Sequence, residues 1–248
     1  MAFLRATAAG LIFLLALAPV AFSDSLDVIR GDGAWHPFQT PSTSGSVFWN
    51  NRSYDFNSEC NIGYWLSGTG GCPQRGGLFF TTSPHVTPDY LGDASTGFQM
   101  TKAPGTASVT VTNRMEVSAY RPMNEFGWFD TNNPSVLHAL FTGPNPVGTT
   151  ATFVPSGTYG FYIKSPENTF LSTGTGDSIT HFAVFQLAAN ARYILGAEDM
   201  WAYSDRDFND IIVEIEVSTV PEPATMVLIG SGLAGIGAVA RRRRTGSR

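Results

Sequence analysis

The sequence predicts an all-β protein: an antiparallel β-sandwich or jelly-roll-like single domain, flanked by an N-terminal signal helix and a C-terminal transmembrane helix. Three observations predict it. Short β-rich runs recur between turn signals through the middle of the chain. Helical periodicity is almost absent there. Each end carries an apolar stretch with the flanking residues of an export signal. Residues 1–23, 24–219 and 220–248 are therefore read as three separate segments.

The chain begins MAFLRATAAGLIFLLALAPVAFS. Arg5 supplies a positive start, Ala8 to Ala18 is unbroken and apolar, and Pro19 ends the run. Ala21 and Ser23 place small residues where a signal peptidase cuts, so residues 1–23 read as a secretory signal peptide that engages the Sec machinery. The body that follows, residues 24–220, holds nine Lys+Arg against nineteen Asp+Glu, a net charge of −10. The whole-chain value of −5 conceals this because the terminal signals carry the other arginines. So acidic a body lacks the basic footprint that phosphates demand, and nucleic acid is excluded as a partner.

Within the body, strands are expected at 47–49, 77–82, 107–117, 125–129, 136–141, 150–154, 159–163, 181–187, 191–195 and 210–217. Gly-, Pro-, Ser- and Asn-rich turns separate them. The stretch from Gly31 to Gly71 is less regular and rich in aromatics, among them Trp35, Trp49, Tyr54, Tyr64 and Trp65. Exposed rings such as Trp49 and Trp65 could stack on sugars, as in a carbohydrate-binding module. Alternatively they plug the ends of the sandwich. Cys60 and Cys72 are the only cysteines. In an exported chain they either form a local disulfide, whose 13-residue loop would contribute about 3 kcal/mol, or remain two free thiols.

The strongest local feature is GAEDMWAYSDRDFNDIIVEIEV, residues 196–217. Ile211, Val213, Ile215 and Val217 share one face of a strand, and Glu214 and Glu216 point the other way. Carrying that parity backwards sets Asp205, Asp207 and Asn209 on the core side, where unpaired carboxylates are costly. Either the chain turns before Phe208, or the acidic groups share a cation. Ca²⁺ suits such oxygen-rich sites. An EF-hand is rejected, because Asp210 stands where that loop needs glycine and β-formers follow. The alternative is an Asx-rich turn, whose carboxylates accept backbone N–H groups.

No catalysis is expected. His36, His85, His138 and His181 are scattered, and no G-x-S-x-G or H-E-x-x-H motif occurs. A secreted hydrolase assembled by the fold is the remaining enzymatic reading.

At the C-terminus, Ala224 to Ala240 is 17 residues without a charge, about 25 Å as a helix. Its four glycines suit lipid better than water, and Arg241, Arg242, Arg243 and Arg244 follow as a cytoplasmic stop. The motif Val220-Pro221-Glu222-Pro223, the glycine-rich span and the arginine cluster together resemble the PEP-CTERM sorting signal of Gram-negative bacteria. That resemblance implies an exosortase as partner, membrane anchoring through the tail before cleavage, and a final place at the cell surface or in the extracellular matrix alongside exopolysaccharide. The acidic stretch is similar, over about twenty residues, to the D-x-D-x-N-D end of a secreted, β-rich domain-of-unknown-function family. It implies Glu198, Asp199, Asp205, Asp207, Asn209 and Asp210 as the matching positions, with Ca²⁺ suggested as their ligand. Met200 and Trp201 occupy the spacer between them.

Overall fold

The computed structural model describes residues 24–38, 61–68, 89–92, 96–104, 106–118, 120–174, 181–187, 192–201, 206–219 and 230–237. Residues Ser23–Ser218 form one compact unit. Thirteen strands are described in it, arranged as two sheets.

The first sheet contains β1 (Ser25–Arg30), β4 (Gly97–Thr101), β9 (Thr158–Lys164), β6 (Glu125–Asp130) and β7 (Leu137–Thr142), in that spatial order. The short β10 (Thr169–Leu171) also pairs with β9. The second sheet runs β2 (Trp35–Pro37), β3 (Asp89–Leu91), β11 (Phe182–Leu187), β12 (Arg192–Ala197), β13 (Ile211–Thr219), β5 (Thr106–Met115) and β8 (Thr150–Phe153). Hairpins such as β11–β12 and β6–β7 are antiparallel.

The alternation of apolar residues explains the layers. Phe98, Phe126, Phe141, Tyr159, Phe161 and Ile163 of the first sheet meet Val109, Val111, Val184, Leu195, Ile211, Val213 and Ile215 of the second in one core. A sandwich filled from two inner faces follows, as the sequence predicts. The aromatic rings pack edge-on and offset, as in Phe98 against Phe182 and Phe126 against Phe161, the arrangements their quadrupoles favour.

Part of the second sheet's other face, over β11, β12 and the start of β13, is buried as well. There a short helix, α1 (Ile62–Ser67), lays Ile62, Tyr64, Trp65 and Leu66 against Phe185, Leu187, Ile194, Phe208 and Ile212. Asn61 caps the helix by accepting the Tyr64 N–H at 3.0 Å, and Gly68 closes it at φ 68°, a left-handed turn that glycine adopts without steric cost. This helix replaces the irregular stretch expected there. Trp65 is 2% exposed, so its ring packs in the core and cannot stack on a sugar. Of the two alternatives for that residue, core packing is the one seen.

Glu214 points away from the core between the two sheets, as its parity requires. Its face of β13 is not solvent: the side chain is 3% exposed and accepts from the guanidinium groups of Arg114 on β5 and Arg192 on β12. At the start of the unit, Asp24 is equally buried, at 2% exposure. Its carboxylate accepts the Ala103 N–H and the Tyr159 hydroxyl, both at 2.8 Å, and the Thr106 hydroxyl. The first residue after the expected cleavage point is thus tied into the sandwich.

Trp49, Cys60, Cys72, Asp205, Val220, Pro221, Glu222, Pro223 and Arg241 to Arg244 lie outside the described residues. Residues 230–237, within the expected membrane span, are helical. Among the described residues no helix is long and apolar enough to cross a membrane.

Candidate functional site

Two chain connections meet at one end of β5 and β13. One, residues 116–124, leads from β5 to β6; the other, residues 198–210, leads from β12 to β13. The Val117 N–H donates to the Asn209 carbonyl at 3.1 Å, tying the two together. Helix α1 braces them from the side, with the Ile62 N–H donating to the Asp207 carbonyl at 2.8 Å.

The chain does turn before β13, and it does so with difficulty. Arg206 has φ 58° and Phe208 φ 53°, the left-handed region that non-glycine residues avoid at a cost of roughly 1–2 kcal/mol each. Phe208 repays part of that cost by burying its ring, 1% exposed, in the cluster under α1. Gly196 makes the turn possible. A Cβ there would stand 2.4 Å from the Phe208 carbonyl oxygen and 2.4 Å from the Ile62 side chain, so only glycine lets the turn close over β12.

The turn buries acids. Glu198 and Asp199 are each 1% exposed, and Asp207 and Asn209 each 3%. Three of the carboxylates behave as the Asx-turn alternative requires. A Glu198 oxygen accepts the Phe208 N–H, an Asp207 oxygen accepts the Asn209 N–H, and an Asp210 oxygen accepts the Asp199 N–H at 2.8 Å. Burial, and then the charges of Glu198 and Asp199, hold the Asp210 carboxyl well above the usual range.

Asp199 differs. It does not cap a backbone amide in its own loop. Its Oδ2 accepts the Ser118 hydroxyl and, at 2.6 Å, the Asn124 side-chain amide, residues 81 and 75 positions away. Its Oδ1 is buried and accepts no hydrogen bond among the described residues; the same is true of Asn124 Oδ1. Buried oxygens without partners are rare in native proteins. Beside them sits Glu116, 7% exposed, accepting from Asn145 N–H at 3.3 Å and Arg121 at 3.4 Å. Burial pushes its carboxyl up, and the charge of Asp199 adds to that.

Of the six positions expected to hold calcium, the structure therefore brings together Glu198, Asp199, Asp207, Asn209 and Asp210. It adds three that sequence reasoning missed: Glu116, Ser118 and Asn124. No motif links these to the acidic stretch; only the sheet order does. Among the described residues, no three carboxylate, imidazole or thiol side chains converge tightly enough to chelate a metal by themselves. Any cation here would have to draw on amide, hydroxyl or carbonyl oxygens too, which Ca²⁺ accepts and thiolate-seeking metals do not.

One of the described histidines, His181, adjoins the acidic connection, with its Nδ1 3.3 Å from the Glu198 carbonyl oxygen. His36 pairs with Asp32 at 2.9 Å, His138 stacks on Trp128, and His181 stacks on Phe170. Phe170 also backs Trp201, which is 48% exposed two residues beyond Asp199.

Two family models match the chain. The PEP-CTERM protein-sorting motif covers residues 219–244, and a domain of unknown function, DUF4114, covers residues 146–218, from just before β8 through β13. The second match includes the acidic connection and excludes Glu116, Ser118 and Asn124. No curated protein and no solved structure matches the chain. The chain thus carries a domain of unknown function followed by a PEP-CTERM sorting motif, which implies export, recognition by an exosortase and processing while anchored in the membrane.

Proposed function

We propose that this is a non-enzymatic protein of the cell surface or extracellular matrix, delivered by Sec, released from its tail by an exosortase, and associated with exopolysaccharide. The single observation that carries the reading is the sorting motif at residues 219–244, directly behind an acidic β-sandwich. The sandwich is the cargo, and the tail is its address. In this reading Ca²⁺ stabilises the cargo at its acidic end, where buried carboxylates outnumber basic partners.

Epitope tags placed before Val220 and after Arg244 test the sorting step. In cells with an active exosortase, the first tag is expected at the surface or in the medium and the second is lost from the mature protein. Both tags persisting on one full-length chain would refute processing.

One observation favours a second reading, carbohydrate binding. Trp201 presents a half-exposed ring beside the acidic connections, supported from behind by Phe170. Aromatic faces of this kind stack on sugars. Loss of polysaccharide retention in Trp201→Ala, with an unchanged melting curve, would support it, and undiminished retention would remove it.

A further inference from the structure

We infer that the junction of the 116–124 and 198–210 connections is a Ca²⁺ site centred on Asp199 Oδ1 and Asn124 Oδ1, so that the ion clamps the β5–β6 connection to the β12–β13 connection. The inference deepens the calcium reading above and rests on it, but it moves the ion away from the SDRDFND run.

The argument begins with what each oxygen already does. Glu198, Asp207 and Asp210 each spend an oxygen on a backbone N–H. Those bonds shape the turn. Asp199 Oδ1 and Asn124 Oδ1 have no such duty, and both residues are more than nine-tenths buried. A swapped Asn124 amide would not help, because it would set its oxygen against the Asp199 carboxylate that now receives its N–H.

Charge points the same way. Glu116, Glu198, Asp199, Asp207 and Asp210 lie on these two connections. The basic side chains described there are Arg121, partly exposed, and Arg206, exposed. Asp199 lies within electrostatic reach of Glu116 on one connection and Asp210 on the other, so it links the acids of the two. Elsewhere the fold handles a buried carboxylate with two arginines, at Glu214. At Asp199 it supplies a hydroxyl and an amide instead.

The chemistry selects the ion. Hard oxygens of mixed charge, from carboxylate and side-chain amide with a hydroxyl alongside, suit Ca²⁺, which tolerates irregular geometry and six to eight ligands. Mg²⁺ demands a near-ideal octahedron and sheds water reluctantly.

The test uses the full-length chain in detergent, stripped with chelator and then melted with and without 1 mM Ca²⁺. The expected shift is about 5 °C or more if Kd lies well below that concentration. Asp199→Asn, which keeps shape and removes charge, should lose most of the shift. Asn124→Asp supplies a control that a structural role alone would not mimic. It should melt lower than wild type in chelator yet show a larger calcium shift, because it adds a charge that only the ion relieves. Asp207→Ala should lower both curves and keep the shift. Retention of the full shift in Asp199→Asn, or a smaller shift in Asn124→Asp, overturns this site while leaving calcium bound elsewhere. No shift in the wild type overturns both this site and the calcium reading.

Discussion

Glu214 and Asp199 are buried almost equally, at 3% and 1% exposure, and the fold provides for them in opposite ways. Glu214 lies on β13 between Arg114 and Arg192, whose guanidiniums converge on its two oxygens. Asp199 lies just beyond one end of the β12–β13 pair, among acids, with both donors on one oxygen and none on the other. Asp24 falls between these cases, satisfied by three neutral donors. The difference teaches that burial alone does not identify a functional carboxylate. What separates Asp199 is that, among the described residues, a hydroxyl and an amide meet it and no basic side chain does.

Substitutions can break or sharpen that contrast. Glu214→Ala should have the largest effect, because it leaves two partly buried guanidiniums facing each other. About 3 kcal/mol is expected, at the low end for a broken buried pair since both arginines reach solvent, or roughly 6–12 °C in melting temperature. The loss should be the same with and without Ca²⁺. Asp24→Ala removes the acceptor of three buried donors and should cost about 2 kcal/mol in a urea melt, again without calcium dependence.

Gly196→Ala should cost about 1–2 kcal/mol, since the new methyl must displace either the Phe208 carbonyl or Ile62. Unlike the first two, it should also weaken calcium binding, because the displaced turn leads into Asp210, whose carboxylate accepts the Asp199 N–H and so positions that residue. Asp199→Asn should be the mildest in chelator, within about 0.5 kcal/mol of wild type, because losing one charge from an acidic cluster offsets the altered bond to Asn124. If Asp199→Asn in chelator were as damaging as Glu214→Ala, the contrast between the two carboxylates would fail.

Much of the sandwich is legible in the sequence, because inner-face residues obey the period of two. The run from Ile211 to Val217 predicts the core face of β13, and Ile211, Val213 and Ile215 occupy it. The same pattern turns Glu214 away from that core but is silent on its burial. A period of two separates the faces but cannot say that the second face is also covered. The cover is α1, six residues long, too short for helical periodicity to register. β1, β4 and β10 escape notice for a related reason: GFQMT and TFL are short runs without clear alternation.

At the candidate site, the acidic stretch stands out in sequence, and the two alternatives it poses are the ones that matter. The turn itself leaves no signature, since left-handed conformations at Arg206 and Phe208 occur where glycine or asparagine would be looked for. Ser118 and Asn124 are invisible for a different reason. Their meeting with Asp199 is made by sheet order, with β5 beside β13, and local patterns do not encode such a neighbour.

The most direct test is a crystal structure of the mature domain grown with Ca²⁺, phased to show anomalous scattering from the ion. The account predicts one ion at about 2.3–2.6 Å from Asp199 Oδ1 and Asn124 Oδ1, and none beside Glu214. An ordered water on Asp199 Oδ1 with no anomalous peak near it would contradict the account.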